Sequence, residues 1–194
     1  PTTMMPPEHT AKHSDSVGLE APCAEVIVVD ADGREVPRGE SGELWIRGAM
    51  VVPGYWNNPE ATAREFTAGY WHSGDIGSID AEGFVRVFDR VKDMINRGGY
   101  KIFSVEVENV LSHHPGVLES AIIGRACPVL GERVHAFVAR KQSGVAEGEL
   151  KAFCAAHLAD YKVPETFTLL DEPLPRNANG KLLKRVLRDS LGHA

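Results

Sequence analysis

Lys181 closes the polar run Asn177-Ala178-Asn179-Gly180, just past a glycine turn and behind Pro173-Leu174-Pro175-Arg176. An ammonium on a turn tip is a compact point charge with three donors, suited to a phosphate or carboxylate oxygen. The same residues also read as an ordinary helix start, with Asn179 or Gly180 as cap and Leu182-Leu183 as the buried stripe. Asp75 follows Ser73-Gly74 within Trp71-His72-Ser73-Gly74-Asp75-Ile76-Gly77, in a loop leading into a strand. Its two acceptor oxygens can take both hydroxyls of a ribose at once. A turn aspartate that caps local backbone has the same pattern. Arg90, after Asp89, offers a planar donor fork for phosphate or ribose oxygens, or a surface ion pair with Asp89 or Asp93. Arg97-Gly98-Gly99-Tyr100-Lys101 carries two adjacent glycines, which let a backbone approach a ligand closely or adopt positive φ, as a plain β-turn also does. By residue type alone, Lys92 is an ordinary surface lysine.

Other reactive side chains are scattered. His9 and His13 are four apart in a loop-like end, and His113-His114 sits where a helix ends, so no metal site is expected. His72 precedes the Asp75 motif without an assignable role. Cys23, Cys127 and Cys154 form neither a disulfide ladder nor a zinc pattern. Each reads as a small core residue, and a reducing cytoplasm is the simplest setting.

The chain has 194 residues, 43% of them hydrophobic, enough for one or two small domains. It contains no apolar run long enough to span a bilayer and no signal-peptide pattern. The net charge of −6 is uneven: residues 1–88 hold 6 Lys/Arg against 14 Asp/Glu, and residues 89–194 hold 15 against 13. The acidic first part argues against nucleic acid as a partner.

These residues must be positioned by two kinds of structure. Residues 1–15 are aperiodic and predict a loop or frayed end. From residue 16 to 89, short strands at 24–30, 42–48, 76–79 and 84–88 predict a β-rich subdomain, barrel-like or a sandwich. Ala31-Asp32-Gly33 is a hairpin turn, and Asn58-Pro59 starts a short helix. After Arg90 the pattern becomes mixed. Ser104 caps a helix to about His113, strands follow at 117–124 and 133–140, and a second helix covers 147–158. A strand at 166–170 and a short helix from Lys181 complete a compact α+β module over 90–194. The overall class is α+β. No Gly/Ser linker separates the parts, which suits a two- or three-residue hinge near 89–92.

The Gly-Asp motif at 74–75, the Asp89–Lys101 stretch and the Asn-Gly-Lys motif at 179–181, in this order and spacing, resemble the adenylate-forming (AMP-binding) superfamily. That superfamily includes acyl-CoA synthetases, peptide-synthetase adenylation domains and beetle luciferases. The resemblance runs from about Ser16 to about Leu191. It departs from the pattern at Ser73, where Thr is common, and at Asp89, where Gly is usual.

The resemblance implies roles. Asp75 would bind the ribose of ATP or AMP, and Arg90 the nucleotide. Lys92 would be the backbone hinge of a mobile lid, and Gly98, Gly99, Tyr100 and Lys101 would lie along the CoA site. Lys181 would be the adenylation lysine, bridging α-phosphate and carboxylate. Mg would accompany ATP, with ligands outside this chain. The family's phosphate loop and Tyr-Gly-x-Thr-Glu segment do not occur here. The expected identity is therefore the C-terminal part of an AMP-forming acyl-CoA ligase, inactive without an N-terminal ATP-binding part. The segments Val51–Thr62 and Arg97–Ile102 most resemble fatty- or medium-chain acyl-CoA synthetases. A peptide-synthetase adenylation domain, or a non-catalytic lid-like interaction module, are the alternatives.

Overall fold

The computed structural model describes residues 1–141 and 144–191. Residues 142–143 and the end of the predicted 90–194 module, residues 192–194, lie outside the described residues. The chain divides into two units, Pro1–Lys92 and Asp93–Ala194.

The first unit is built on β1 (Thr3–Met4), β2 (Leu19–Glu20), β3 (Ala24–Val29), β4 (Gly42–Gly48), helix α1 (Pro59–Glu65), β5 (Phe66–Thr67), β6 (Tyr70–Ile79) and β7 (Val85–Arg90). β1 and β2 pair as a small antiparallel ribbon. The main sheet runs β3-β4-β6-β5, with β7 also on β6, and every pairing in it is antiparallel. Its core follows from period-two alternation. Val26 and Val28 face Ile46 and Leu44 across the β3–β4 pair, and Ile79 and Val85 join them. The sheet is open: among the described residues no pairing joins β3 to β5 or β7. Helix α1 begins as its sequence predicts, with Asn58 Oδ1 accepting the Ala61 N–H at 3.0 Å and Pro59 at the first position.

Two expectations for this unit are refined. The first fifteen residues are mostly irregular, as a loop would be, but they are tied to the rest of the unit. β1 pairs with β2, and His13 is buried with its ring stacked on Phe84 at 3.6 Å between centroids. The strand predicted at 76–79 is the end of the ten-residue β6. Trp71 and His72 already pair with Ile46 and Trp45, and the Trp45 and His72 rings stack at 4.0 Å.

The second unit contains β8 (Ile95–Arg97), β9 (Tyr100–Ile102), α2 (Ser104–Ser112), β10 (Val117–Cys127), β11 (Gly131–Arg140), α3 (Glu147–His157), β12 (Thr166–Leu170) and α4 (Lys184–Leu191). β10 and β11 form a long antiparallel pair, β12 joins β11 in parallel, and the β8–β9 hairpin meets the start of β11. Both faces of this sheet are covered, so β10 and β11 read as nearly continuous apolar runs. Ile122, Val134, Ala136 and Val138 face α2 and α3 through Val107, Leu111, Leu150 and Cys154. The alternate residues Ala121, Ile123, Phe137 and Ala139 pack with Leu174 and with Leu187 of α4. Among the described residues, no helix is long and apolar enough to cross a membrane.

Here too the local reading is corrected. Ser104 is not the cap of α2: Phe103 holds that place without a side-chain bond, and Ser104 Oγ accepts from Lys184 Nζ at 2.7 Å. The last helix starts at Lys184, three residues later than predicted. β8 and β9 were not foreseen as strands. Of the three cysteines, Cys127 and Cys154 are buried, whereas Cys23 is exposed in the turn before β3.

His135 gives this unit a pH dependence. It is buried on β11, its Nδ1 and Nε2 facing the Thr166 and Thr168 hydroxyls at 2.7 and 3.1 Å. Burial, with a smaller contribution from Arg125, pushes its pKa down to about 4. The folded state therefore favours the neutral ring. Its contribution is complete above the unfolded pKa near 6.5 and is lost as pH falls from there toward 4. The expected size is about 3 kcal/mol. Urea unfolding of wild type and His135→Gln between pH 7 and 4 should show the wild type losing more stability by that order.

Candidate functional site

Asp75 and Arg90 meet across the β6–β7 pair. They are register partners, and Arg90 Nη1 donates to Asp75 Oδ1 at 2.9 Å. Asp75 lies within β6, beside a register shift at Ile76/Gly77, and not in the loop that Ser-Gly-Asp suggested. A bulge of this kind re-aims side chains at a sheet edge. This part of β6 is held by two further bonds: Asp75 N–H donates to Ser73 Oγ at 3.0 Å, and Gly74 N–H to Glu43 Oε1 at 3.1 Å. The carboxylate is part-exposed and spends one oxygen on Arg90, so the other can accept a ligand donor. Asp89, the departure from the family pattern, is buried and takes the Arg90 N–H on Oδ1 at 2.8 Å. The Arg90 guanidinium itself pairs with Asp75.

Lys92 lies in the turn after β7 and is the last residue of the first unit.

In the second unit, Gly98 and Gly99 form the two-residue turn of the β8–β9 hairpin, with φ of +58° and +91°. Only glycine adopts both angles without strain, and such paired positive angles match the twist of the flanking strands. Asn96 Oδ1 accepts the Gly99 N–H at 3.1 Å, and the Leu130 carbonyl accepts the Gly98 N–H at 2.7 Å. A side chain added at Gly99 would meet nothing within 4 Å, so its face is open. Lys101 is exposed beside it, and the half-exposed Tyr100 ring stacks on Tyr161 at 4.6 Å. Tyr161 received no role from the sequence, because 61 positions and two helices separate it from Tyr100.

Lys181 sits on a hairpin tip, not at a helix start. Arg176 and Leu182 form an isolated antiparallel bridge. The Asn177 N–H donates to Lys181 O at 2.9 Å, and Asn177 Oδ1 accepts the N–H of Asn179 and of Lys181 at 3.0 and 2.8 Å. Gly180, at φ +78°, turns the chain. Lys181 Nζ has no hydrogen bond or ion pair among the described residues, and the residue is exposed. An unpaired ammonium on a rigid turn is available to an anionic ligand.

One group of three has metal-ligand spacing among the described residues: His13, Asp80 and Glu82. Both carboxylates already face cations. Lys12 Nζ lies 2.9 Å from Glu82, and Arg86 Nη1 lies 2.7 Å from Asp80. With Asp15, which also pairs with Arg86, this cluster forms an ion-pair network that ties the N-terminal segment to the sheet.

Comparison with known proteins places these geometries in a family. The profile for "AMP-binding enzyme" matches residues 1–56, and that for "AMP-binding enzyme C-terminal domain" matches residues 106–181. A long-chain-fatty-acid–CoA ligase of Escherichia coli O6:H1 is 44% identical over 91% of this chain and 31% of its own length. A feruloyl-CoA synthase of an Amycolatopsis species is 40% identical over 95% of this chain and 38% of its own. The structure of o-succinylbenzoate CoA synthetase from Bacillus subtilis, in complex with its acyl-adenylate intermediate, superposes with a TM-score of 0.88 at 36% identity. It covers 100% of this chain and 38% of that one. The chain thus spans about a third of the length of the curated relatives it matches. With motifs, two matched profiles and fold in agreement, the chain belongs to the AMP-binding, adenylate-forming enzyme family.

Proposed function

We propose that this chain serves as the C-terminal part of an ATP-dependent, AMP-forming acyl-CoA ligase, converting a carboxylate, ATP and CoA into acyl-CoA, AMP and pyrophosphate. The single observation that carries the reading is Lys181, an exposed ammonium with no hydrogen bond or ion pair among the described residues, on an internally hydrogen-bonded tip. An exposed lysine is common on any surface, but this one stands in the Asn-Gly-Lys motif of the family. An enzyme that must bring a carboxylate against the α-phosphate of ATP gains from such a residue, because both reactants are anions and the transition state spreads charge over phosphoryl oxygens.

The remaining roles are those that the family resemblance implies, and the chemistry of each residue suits them. Asp75 accepts from the ribose hydroxyls while Arg90 holds its other oxygen, and Mg²⁺ arrives with the nucleotide. The open face of Gly99, with Gly98, Tyr100 and Lys101, receives the CoA arm, since bare backbone lets a thin chain pass closely. Lys92 is the hinge about which the residues that follow it move as a lid, and Arg90 stays with β7 of the β-rich subdomain. The carboxylate is of fatty-acyl type, as the names of several relatives suggest. A cytoplasmic setting suits the free thiols of the chain.

The test is direct. The 194-residue chain alone should release no pyrophosphate from ATP and a fatty acid, because two thirds of a relative's length is lacking. The full-length enzyme carrying this sequence should form acyl-CoA and AMP in equal amounts. Pyrophosphate release by the isolated chain, or formation of ADP by the full-length enzyme, would overturn the proposal.

A further inference from the structure

Among the described residues the Lys181 ammonium has no hydrogen bond or ion pair, so its position depends on what holds the hairpin beneath it. The exit stem is pinned by α4: Lys184 Nζ lies 2.7 Å from Glu108 Oε1 and 2.7 Å from Ser104 Oγ on α2. The entry stem is pinned by a residue 55 and 57 positions before the two groups it holds. Glu119, on β10, accepts the Leu174 N–H on Oε1 at 2.7 Å and the Arg176 guanidinium on Oε2. Arg176 uses its second Nη to donate to the carbonyl of Gly180 at 2.8 Å. A continuous link therefore runs from the sheet, through one carboxylate and one guanidinium, to the peptide bond that joins Gly180 to Lys181.

Three features suit Glu119 to this task. Its side chain is only 19% exposed, so the ion pair is less screened than a surface pair. It follows a β-bulge between Val117 and Glu119, a device that re-aims a side chain from a regular strand. Finally, the planar fork of Arg176 fixes direction as well as distance between its two acceptors.

We infer that Glu119 is a positioning residue for Lys181, acting through Arg176 and the Gly180 carbonyl without touching substrate. The inference rests on the adenylation role proposed for Lys181. It predicts that Glu119 matters only in the half-reaction that uses Lys181.

In the full-length enzyme, Glu119→Ala should slow acyl-adenylate formation about 10- to 100-fold, the scale of a misplacement near 1 Å. CoA transfer from supplied acyl-adenylate should be unchanged. Glu119→Gln, which keeps an acceptor, should fall between wild type and Glu119→Ala, and Arg176→Gln should repeat the selective loss. Adding Glu119→Ala to Lys181→Ala should cost nothing further, since the first residue acts through the second. Multiplying losses, or equal slowing of both half-reactions, would overturn the inference. Amide exchange of the 194-residue chain gives a readout that does not depend on catalysis. Glu119→Ala should speed exchange at Gly180 and Lys181 and leave Ile122 and Val138 protected. Unchanged exchange at the tip, or equal acceleration in the core, would also overturn it. If Lys181→Ala alone leaves adenylation intact, the role of Lys181 fails, and the exchange result still decides whether Glu119 holds the tip.

Discussion

Replacing Lys181 with alanine in the full-length enzyme is expected to lower acyl-adenylate formation about 100- to 1,000-fold, the usual loss for one preorganised group that stabilises charge in a transition state. CoA transfer from supplied acyl-adenylate should stay near the wild-type rate. The asymmetry has a physical origin. In the first half-reaction two anions must meet and a phosphorus centre carries developing charge, so an ammonium offsets repulsion and orients attack. In the second, the thiol attacks the acyl carbon and not phosphorus, its proton is lost, and AMP departs with the electron pair of the broken C–O bond, so no two anions have to be brought together at a phosphorus centre. The hairpin of Asn177–Lys181 is closed by its own backbone and Asn177 side-chain bonds, so truncating an exposed side chain should leave the fold intact. Thermal melting of the variant should match wild type. Measuring the two half-reactions separately decides the matter, and equal loss in both would show that Lys181 is shared or structural.

Asp75→Ala should have the second largest effect, a fall in kcat/KM for ATP of about 100-fold, from two lost hydrogen bonds to a charged acceptor. Most of it should appear as a raised KM, because a ribose held equally in ground and transition states contributes uniform binding. Asp75→Asn should retain part of the affinity, since one carboxamide oxygen still accepts. Arg90 would lose its partner at 2.9 Å in the alanine variant, and its guanidinium would be free to move. Initial rates at varied ATP, with 2′-deoxy-ATP as a second substrate, test this. If the variant and wild type discriminate equally against the deoxy nucleotide, Asp75 does not read the ribose.

Much of the secondary structure was legible because its signals are local. Asn58-Pro59 announced α1, since a cap and a fixed φ act within one turn. The alternation of Leu44 and Ile46 announced β4. Helix α3 declared itself through Leu150 and Cys154, both fully buried at helical spacing. The failures share a cause. β8 and β9 have three residues each, too short for any period to register. Ser73-Gly74-Asp75 carries turn residues, yet it lies inside β6 because neighbouring strands supply the pairing. Ser104 has the chemistry of a cap, but the Lys184 ammonium claims its hydroxyl from 80 residues away. His13 looked like part of a loose end, and only Phe84 explains its burial.

The sequence by itself marked the side chains proposed to meet a nucleotide and determined which family the chain resembles. Motifs such as Gly-Asp and Asn-Gly-Lys are short and bring the turn residue and the reactive group together. It also determined the class of the fold, through strands in the first half and alternating strands and helices in the second. Only the tertiary structure decided what those side chains touch. The pairing of Asp75 with Arg90 depends on the register of β6 against β7, and a bulge shifts that register by one residue. The bond from Glu119 to Arg176 depends on where β10 passes beneath the hairpin. A carboxylate on a strand has no periodic signature to mark it for such a task. Its partner is chosen by packing, and packing is set by the apolar residues on both faces of the sheet rather than by the charged residues it brings together.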